Sequence, residues 1–287
     1  MSIPSHVEAI TISKTGPIEV IEKTTVPLKV DATHVVIKSA ELKAVYQDTL
    51  GAFATYISIP WRTVYRIPPG SGITSITAAS SLVQGLTTVT FFEEAYKVKA
   101  GDTILIHTVA GGLGLLFTQL AKHRGAVVIG TTSTAEKAEI AKSNGADHVV
   151  LYKQEDTVQR VLEITKGKGV DAVFDGVGKD TFEDNFKLIK RKGTIVVVGN
   201  ASGPAPPFPV LKLTQKNVTI LRPTMNNYLF TPSEILHYGN ELFSLISKNI
   251  LKTKIWKEYA FTAEDVQQAQ RDLTGGKSVG KLVIRVH

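Results

Sequence analysis

Thr103-Ile104-Leu105-Ile106-His107-Thr108-Val109-Ala110-Gly111-Gly112-Leu113-Gly114 is the stretch on which the reading of the whole chain turns. A short apolar run reads as a buried strand, small residues and glycines follow, and Leu115-Leu116-Phe117 opens an apolar helix. Set against the dinucleotide-binding pattern G-x-G-x-x-G, Val109 stands where the first glycine belongs, while Gly111 and Gly114 keep the other two. Gly111 permits a pyrophosphate to approach the backbone, and Gly114 lets helix and strand pack closely. The helix start supplies unpaired N–H groups and the positive end of a dipole. In isolation, a tight turn that merely needs small residues would read the same way.

The surroundings separate the two readings. Compact apolar strands are expected at 103–108, 127–131, 148–151, 171–175 and 194–199, with helices at 112–124, 135–144, 155–165 and 181–190. Most of these strands show little alternation, as parallel strands covered on both faces do. Strand and helix in regular succession predict a doubly wound parallel sheet. Upstream, residues 7 to about 67 read as short strands; Val35-Val36-Ile37-Lys38 is one, and Phe53, Tyr56, Ile57 and Ile59 sit in another β-rich stretch. Pro68-Pro69-Gly70 marks a turn, and residues 76–96 take a helical spacing that breaks near Gln84-Gly85. Downstream, Gly203-Pro204-Ala205-Pro206-Pro207-Phe208-Pro209 is a loop. A strand near 217–221, a helix near 232–247 and a helix–strand pair closing at 281–286 complete the chain. The fold class is therefore α/β, with a nucleotide domain over 86–251 and flanking segments 1–85 and 252–287 that fold together.

Composition narrows the chemistry. The 287 residues, 43% hydrophobic and 21% charged, have the balance of an ordinary globular protein. The absence of cysteine removes disulfides, thiolate nucleophiles and cysteine-held metals together. The seven histidines are scattered, with no His-x-x-x-His pair, so no metal is expected. No apolar run reaches the roughly 18 residues of a membrane span, and the first residues lack the pattern of a secretory signal. The expected location is the cytoplasm, with the nucleus as a second place. The formal charge of +7 is spread among acids along the chain. Its densest cluster, Lys187, Lys190, Arg191 and Lys192, ends a predicted helix, where cations suit the dipole, and reads as solvated surface before nucleic-acid patch.

The end of the second strand selects the cofactor. An NAD site places Asp or Glu there to hold the ribose 2′-hydroxyl. This chain has Gly130-Thr131-Thr132-Ser133-Thr134-Ala135-Glu136-Lys137. Glu136 lies past the acidic position, and hydroxyls followed by an ammonium suit a 2′-phosphate. NADPH is therefore the expected cofactor, although Lys137 alone would also read as a solvated helix residue.

Several strings form a recognisable set: Ala78-Ala79-Ser80-Ser81-Leu82-Val83-Gln84-Gly85-Leu86-Thr87-Thr88, Val98-Lys99-Ala100-Gly101-Asp102 and Ala110-Gly111-Gly112-Leu113-Gly114. To these add Lys168-Gly169-Val170-Asp171, Asp175-Gly176-Val177-Gly178-Lys179-Asp180-Thr181-Phe182, Gly199-Asn200-Ala201-Ser202-Gly203 and Ser278-Val279-Gly280-Lys281-Leu282. From about Gly51 onward the chain resembles the zinc-free quinone oxidoreductases of the medium-chain dehydrogenase/reductase superfamily, most of all the fungal ζ-crystallin-like NADPH:quinone reductases. The resemblance implies a Rossmann-type domain, a GroES-like barrel domain, NADPH, no zinc and a homodimer. By position it implies Gln84 and Thr87 near the nicotinamide, and Ala110, Gly111, Gly112, Leu113 and Gly114 along the pyrophosphate. Ser133, Lys137 and Tyr152 fall on the 2′-phosphate side, and Val198, Gly199 and Asn200 beside the nicotinamide at the fifth strand's end.

Two departures stand out. The family's last basic phosphate ligand falls on Gly276, with Lys277 adjacent. The chain also passes from Val35-Val36-Ile37-Lys38-Ser39-Ala40-Glu41 almost directly to Ala44-Val45-Tyr46. Family members carry several tens of further residues there, including barrel strands and groups near the substrate. The GroES-like domain is thus expected to be incomplete near 39–46, with exposed apolar surface that favours association or partial disorder.

The activity these features imply is reduction of a quinone, a flat electron-poor acceptor that needs little acid catalysis. No Ser/His/Asp set and no paired carboxylates stand out; Tyr46 and Tyr56 are the candidate acids. Two other readings remain. One is an NADPH-binding protein that binds AU-rich RNA or is non-catalytic; the other is an NADPH-dependent alkenal or enone reductase.

Overall fold

The computed structural model describes residues 3–12, 14–32, 34–38, 53–276 and 278–286. Two compact units emerge: Met1–Val83 with Leu229–Lys248 and Thr253–His287, and Gln84–Tyr228 with Asn249–Lys252.

In the first unit, β1 (His6–Ile12) and β2 (Ile21–Pro27) pair antiparallel, as do β3 (His34–Lys38) and β4 (Tyr56–Pro60). Among the described residues an isolated bridge, Ala9 to Ala54 just ahead of β4, joins the two ribbons. Val7, Ala9 and Ala54 form a small core on which Val26, Leu28 and Tyr56 pack.

Helix α1 (Ser75–Thr90) runs unbroken through Gln84-Gly85, which corrects the expected interruption. An interior glycine costs about 1 kcal/mol. Leu82, Leu86 and Val89 are buried at helical spacing, and each such burial is worth roughly 1.5–3 kcal/mol. The Thr88 and Thr90 hydroxyls add bonds to the carbonyls one turn back. A π turn, Phe91–Ala95, then closes the helix.

The second unit contains β5 (Thr103–Ile106), α2 (Gly112–His123), β6 (Val127–Thr132), α3 (Ala135–Ser143), β7 (His148–Leu151) and α4 (Thr157–Ile164). It continues with β8 (Val170–Asp175), α5 (Phe182–Leu188), β9 (Ile189–Val197), β10 (Thr219–Leu221) and α6 (Met225–Tyr228). All six strands are parallel, in the order β10-β9-β8-β5-β6-β7. Counted along the chain this is the doubly wound order 3-2-1-4-5-6 read from β7, with its reversal between β5 and β8. Ile104, Leu105 and Ile106 are buried, as strands covered on both faces must be. Leu105, Ile129, Val150, Val173 and Ile195 belong to one core, and the Phe92, Phe117 and Phe174 rings form another cluster, with centroids 4.9–5.1 Å apart.

One boundary differs from expectation. The helix expected to reach 190 ends at Leu188, and β9 begins at once instead of at 194. Lys192 is left-handed (φ 64°) and the pairing with β8 slips here, so the strand kinks before Gly193. Only Lys187 of the basic cluster therefore lies in the last turn of α5.

The chain returns to the first unit with α7 (Pro232–Ser247), β11 (Ile255–Ala260), α8 (Ala263–Thr274) and β12 (Lys281–Arg285). Thr231 and Glu234 form a reciprocal capping box at the start of α7. Strands β11 and β12 pair in parallel, so the described strands of this unit make three two-stranded sheets. The expected division left 232–247 with the nucleotide domain; packing instead assigns α7 to the first unit. Gly239 of α7 backs onto the buried ring of Tyr65, where a Cβ would lie 2.0 Å from the ring. Gly239→Ala is expected to destabilise the chain by about 1–3 kcal/mol through overpacking. Urea unfolding checks this; an unshifted midpoint would show that the ring can yield.

Candidate functional site

The glycine turn is built on an unexpected residue. Thr108, directly after β5, is left-handed (φ 56°), a conformation that costs a β-branched residue free energy. Its hydroxyl donates to the His107 carbonyl at 2.6 Å, and its own carbonyl accepts the Gly111 N–H at 2.9 Å. The tight reversal therefore falls on Thr108, one position before the place where the pattern lacks its glycine. Val109 is fully buried, and its N–H is held by the Thr131 carbonyl at 3.1 Å. Gly130 makes the room: a Cβ there would lie 2.5 Å from the Val109 side chain.

Gly111 is the N-cap of α2 and brings no side-chain acceptor to it. The first N–H groups of the helix, at Gly112, Leu113 and Gly114, have no carbonyl one turn back in the helix to bond. A Cβ on Gly114 would stand 2.5 Å from the Thr108 carbonyl, so only glycine lets α2 sit this close to β5. Ala110, just before the cap, is buried. A small cavity of about 30 Å³ opens at the sheet's reversal point, among Thr108, Gly114, Gly176 and Val198. This arrangement of bare amides, dipole and glycine suits an anionic diphosphate.

On one side of the turn lie the ends of β6 and β7. Thr132 and Leu151 are partners across these strands, so Ser133 and Tyr152, the next residues of each, emerge side by side. Tyr152 donates its N–H to the Thr132 carbonyl and leaves its ring half exposed. Lys137 sits in the first turn of α3, whose cap is the Thr134 hydroxyl. Glu136 is exposed; its carboxyl is held below the usual carboxylate range by its own backbone N–H and then by Thr134.

On the other side, the Val198 and Gly199 N–H groups both donate to the Asp175 carbonyl, at 2.6 and 3.1 Å. Asn200 follows, exposed. The Asp175 side chain is fully buried and accepts from the N–H groups of Val177 and Gly178, the Thr181 hydroxyl and the Asn185 amide. Gln84 and Thr87 lie on the half of α1 that belongs to this unit. Thr87 donates to Met225 Sδ at 3.5 Å. Gln84 Oε1 is buried and has no hydrogen-bond partner among the described residues, an acceptor open to a donor such as an amide N–H. Thr108, His107, Asp175 and Asn185 were not among the expected site residues.

Tyr56, a candidate acid, packs on the small core of the first unit. Tyr46, the expected gap near 39–46 and Lys277 lie outside the described residues; Gly276, with φ 66°, follows α8.

Comparison with known proteins fits this geometry. Residues 112–237 match the family described as zinc-binding dehydrogenase. Quinone oxidoreductase 1 of Escherichia coli strain K12 is 34% identical over 249 residues, 86% of this chain and 76% of its own length.

The chain belongs to the quinone oxidoreductase family.

A probable quinone oxidoreductase of Schizosaccharomyces pombe, another member, is 36% identical over 84% of this chain and 72% of its own. The crystal structure of Escherichia coli quinone oxidoreductase complexed with NADPH superposes with a TM-score of 0.87 at 28% identity, covering 97% of this chain and 99% of that one. In this chain the described residues include no group of three His, Asp or Glu able to hold a metal, and the sequence has no cysteine. For the turn itself, Thr108→Gly is expected to stabilise the chain by about 1 kcal/mol by relieving the left-handed threonine. Thermal unfolding reads this; a lower midpoint would mean that the Thr108 hydroxyl bond outweighs the strain.

Proposed function

We propose that this oxidoreductase reduces quinones with NADPH, bound along the carboxyl edge of the six-stranded sheet. The observation that carries it is the Gly111-capped start of α2, set between the strand ends at the sheet's reversal point. When bound, NADPH supplies a hydride, which with one proton from solvent converts a quinone to its hydroquinone. The amides of Gly112, Leu113 and Gly114 hold the pyrophosphate. Ser133, Lys137 and Tyr152 hold the 2′-phosphate, and the absence of an acid at the end of β6 removes the repulsion an NAD-type site would present. Gln84 Oε1 has the acceptor chemistry to meet the carboxamide of the nicotinamide, with Thr87, Val198, Gly199 and Asn200 beside that ring. The protein's work is orientation and exclusion of water; the acceptor's delocalised anion needs no strong acid.

The same reading describes a ζ-crystallin-like, zinc-independent enzyme of the cytoplasm, active as a homodimer. Among the described residues no helix is long and apolar enough to cross a membrane. Among these residues, too, β10 pairs only with β9, and the exposed Val210 and Leu211 lie just before it in sequence; an open edge and apolar side chains favour a second copy. RNA binding has less support, because Lys187 and Lys190 of the basic cluster are each paired with an acid, Asp184 and Asp171, at 2.7 Å.

Steady-state oxidation of NADPH with 9,10-phenanthrenequinone tests the activity, with an enone as the competing acceptor. Turnover with the quinone is expected; clear NADPH binding with no turnover would favour a binding role. Lys137→Ala should weaken NADPH by about 10- to 100-fold, the loss of one charge-assisted contact, and leave NADH nearly unchanged. Equal losses for the two nucleotides, measured by calorimetry, would refute the 2′-phosphate role.

A further inference from the structure

His107, the last residue before the left-handed turn, is 4% exposed and joins two side chains from distant parts of the chain. Its Nδ1 lies 3.0 Å from the Thr131 hydroxyl, and its Nε2 lies 3.0 Å from Asn185 Oδ1. Thr131 and Asn185 are themselves 3% and 0% exposed, so both bonds are shielded from bulk water. The directions follow from the far end. Asp175 can only accept as a carboxylate, so Asn185 Nδ2 donates to it, at 2.6 Å, and Asn185 Oδ1 faces His107. His107 therefore donates from Nε2, and the Thr131 hydroxyl donates to Nδ1. The chain of bonds runs in one sense, from Thr131 through His107 and Asn185 to Asp175.

Each end of that chain fixes a different part of the site. Thr131 lies near the end of β6, two residues before Ser133, and its carbonyl holds the Val109 N–H. Asp175 holds the loop after β8 by its side chain, and the end of β9 at Val198 and Gly199 by its carbonyl. We propose that His107 is a positioning residue that sets both ends of the cofactor site, the 2′-phosphate end through Thr131 and the nicotinamide end through Asn185 and Asp175. It also lines the small cavity at the reversal point with Thr108 and Val198, and reaches the two ends through its partners. Resting on the NADPH reading above, this role predicts that the two ends can be loosened separately.

Asparagine places an acceptor near Nδ1 and reaches no further, whereas glutamine places a donor near Nε2. His107→Gln thus keeps the Asn185 link and loses that to Thr131; His107→Asn does the reverse. With calorimetry on the full chain, His107→Gln should weaken NADPH by about tenfold, the loss of one buried hydrogen bond, with NADH unchanged. His107→Asn should keep the ratio of NADPH to NADH affinity, while the emission of the bound dihydronicotinamide shifts toward that of free NADPH. Both variants losing both properties alike, or neither losing any, would overturn the role. Nitrogen-15 NMR of the histidines in the wild-type chain is independent of how the variants fold. It should show His107 protonated on Nε2 and not on Nδ1, and the opposite form would also overturn the role. A wild-type chain that binds neither nucleotide would overturn the NADPH reading first, and this role with it; wild-type binding with unsplit variants overturns the role alone.

Discussion

Asp175 is fully buried at the end of β8 and, among the described residues, forms no ion pair. An unpartnered carboxylate in such a place would be costly, and hydrogen bonds must offset the lost hydration. They come from two backbone N–H groups, a threonine hydroxyl and an asparagine amide, all drawn from the ten residues that follow. The same residue's carbonyl takes the two N–H groups at the end of β9. One charge therefore dictates the path of the β8–α5 loop, while its backbone fixes where the next strand stops. Everything on that side of the reversal point inherits its position from this arrangement.

The other side depends on close approach. Helix α2 reaches β5 only because Gly114 has no side chain, and the turn between them closes only because Thr108 accepts a left-handed backbone. The site is thus held by electrostatic demand on one flank and by steric permission on the other. Binding an anionic nucleotide needs both: loops that do not drift, and a backbone that can be approached.

The doubly wound sheet was legible in the sequence because its strands are short, apolar and almost without alternation, a pattern few other elements share. Of the five central strands expected, β7 has the expected limits, and β5, β6 and β8 both begin and end within two residues of them; β9 ends within two but begins five residues early. Its early start depends on a left-handed lysine and a slip in pairing, neither of which leaves a periodic trace. The supposed break at Gln84-Gly85 failed for the opposite reason, since a local glycine penalty lost to burial along the stripe. In the site, Gly111, Gly114 and Asp175 stood in strings already singled out. His107 and Thr131 stood in quoted strings too, but their link to each other and to Asn185 gave no signal, because the contacts span 24 and 78 residues and only the folded sheet brings them together.

The pairing of Val109 with Gly130 has a consequence beyond the turn. The first position of the glycine pattern is not simply vacant of glycine here; its isopropyl group occupies volume that β6 gives up from the neighbouring strand. The two positions share a single space, so their sizes should trade against each other among homologous chains. A relative with a small residue at the first has room for a methyl at the second, and one with bulk at both must spread its strands apart.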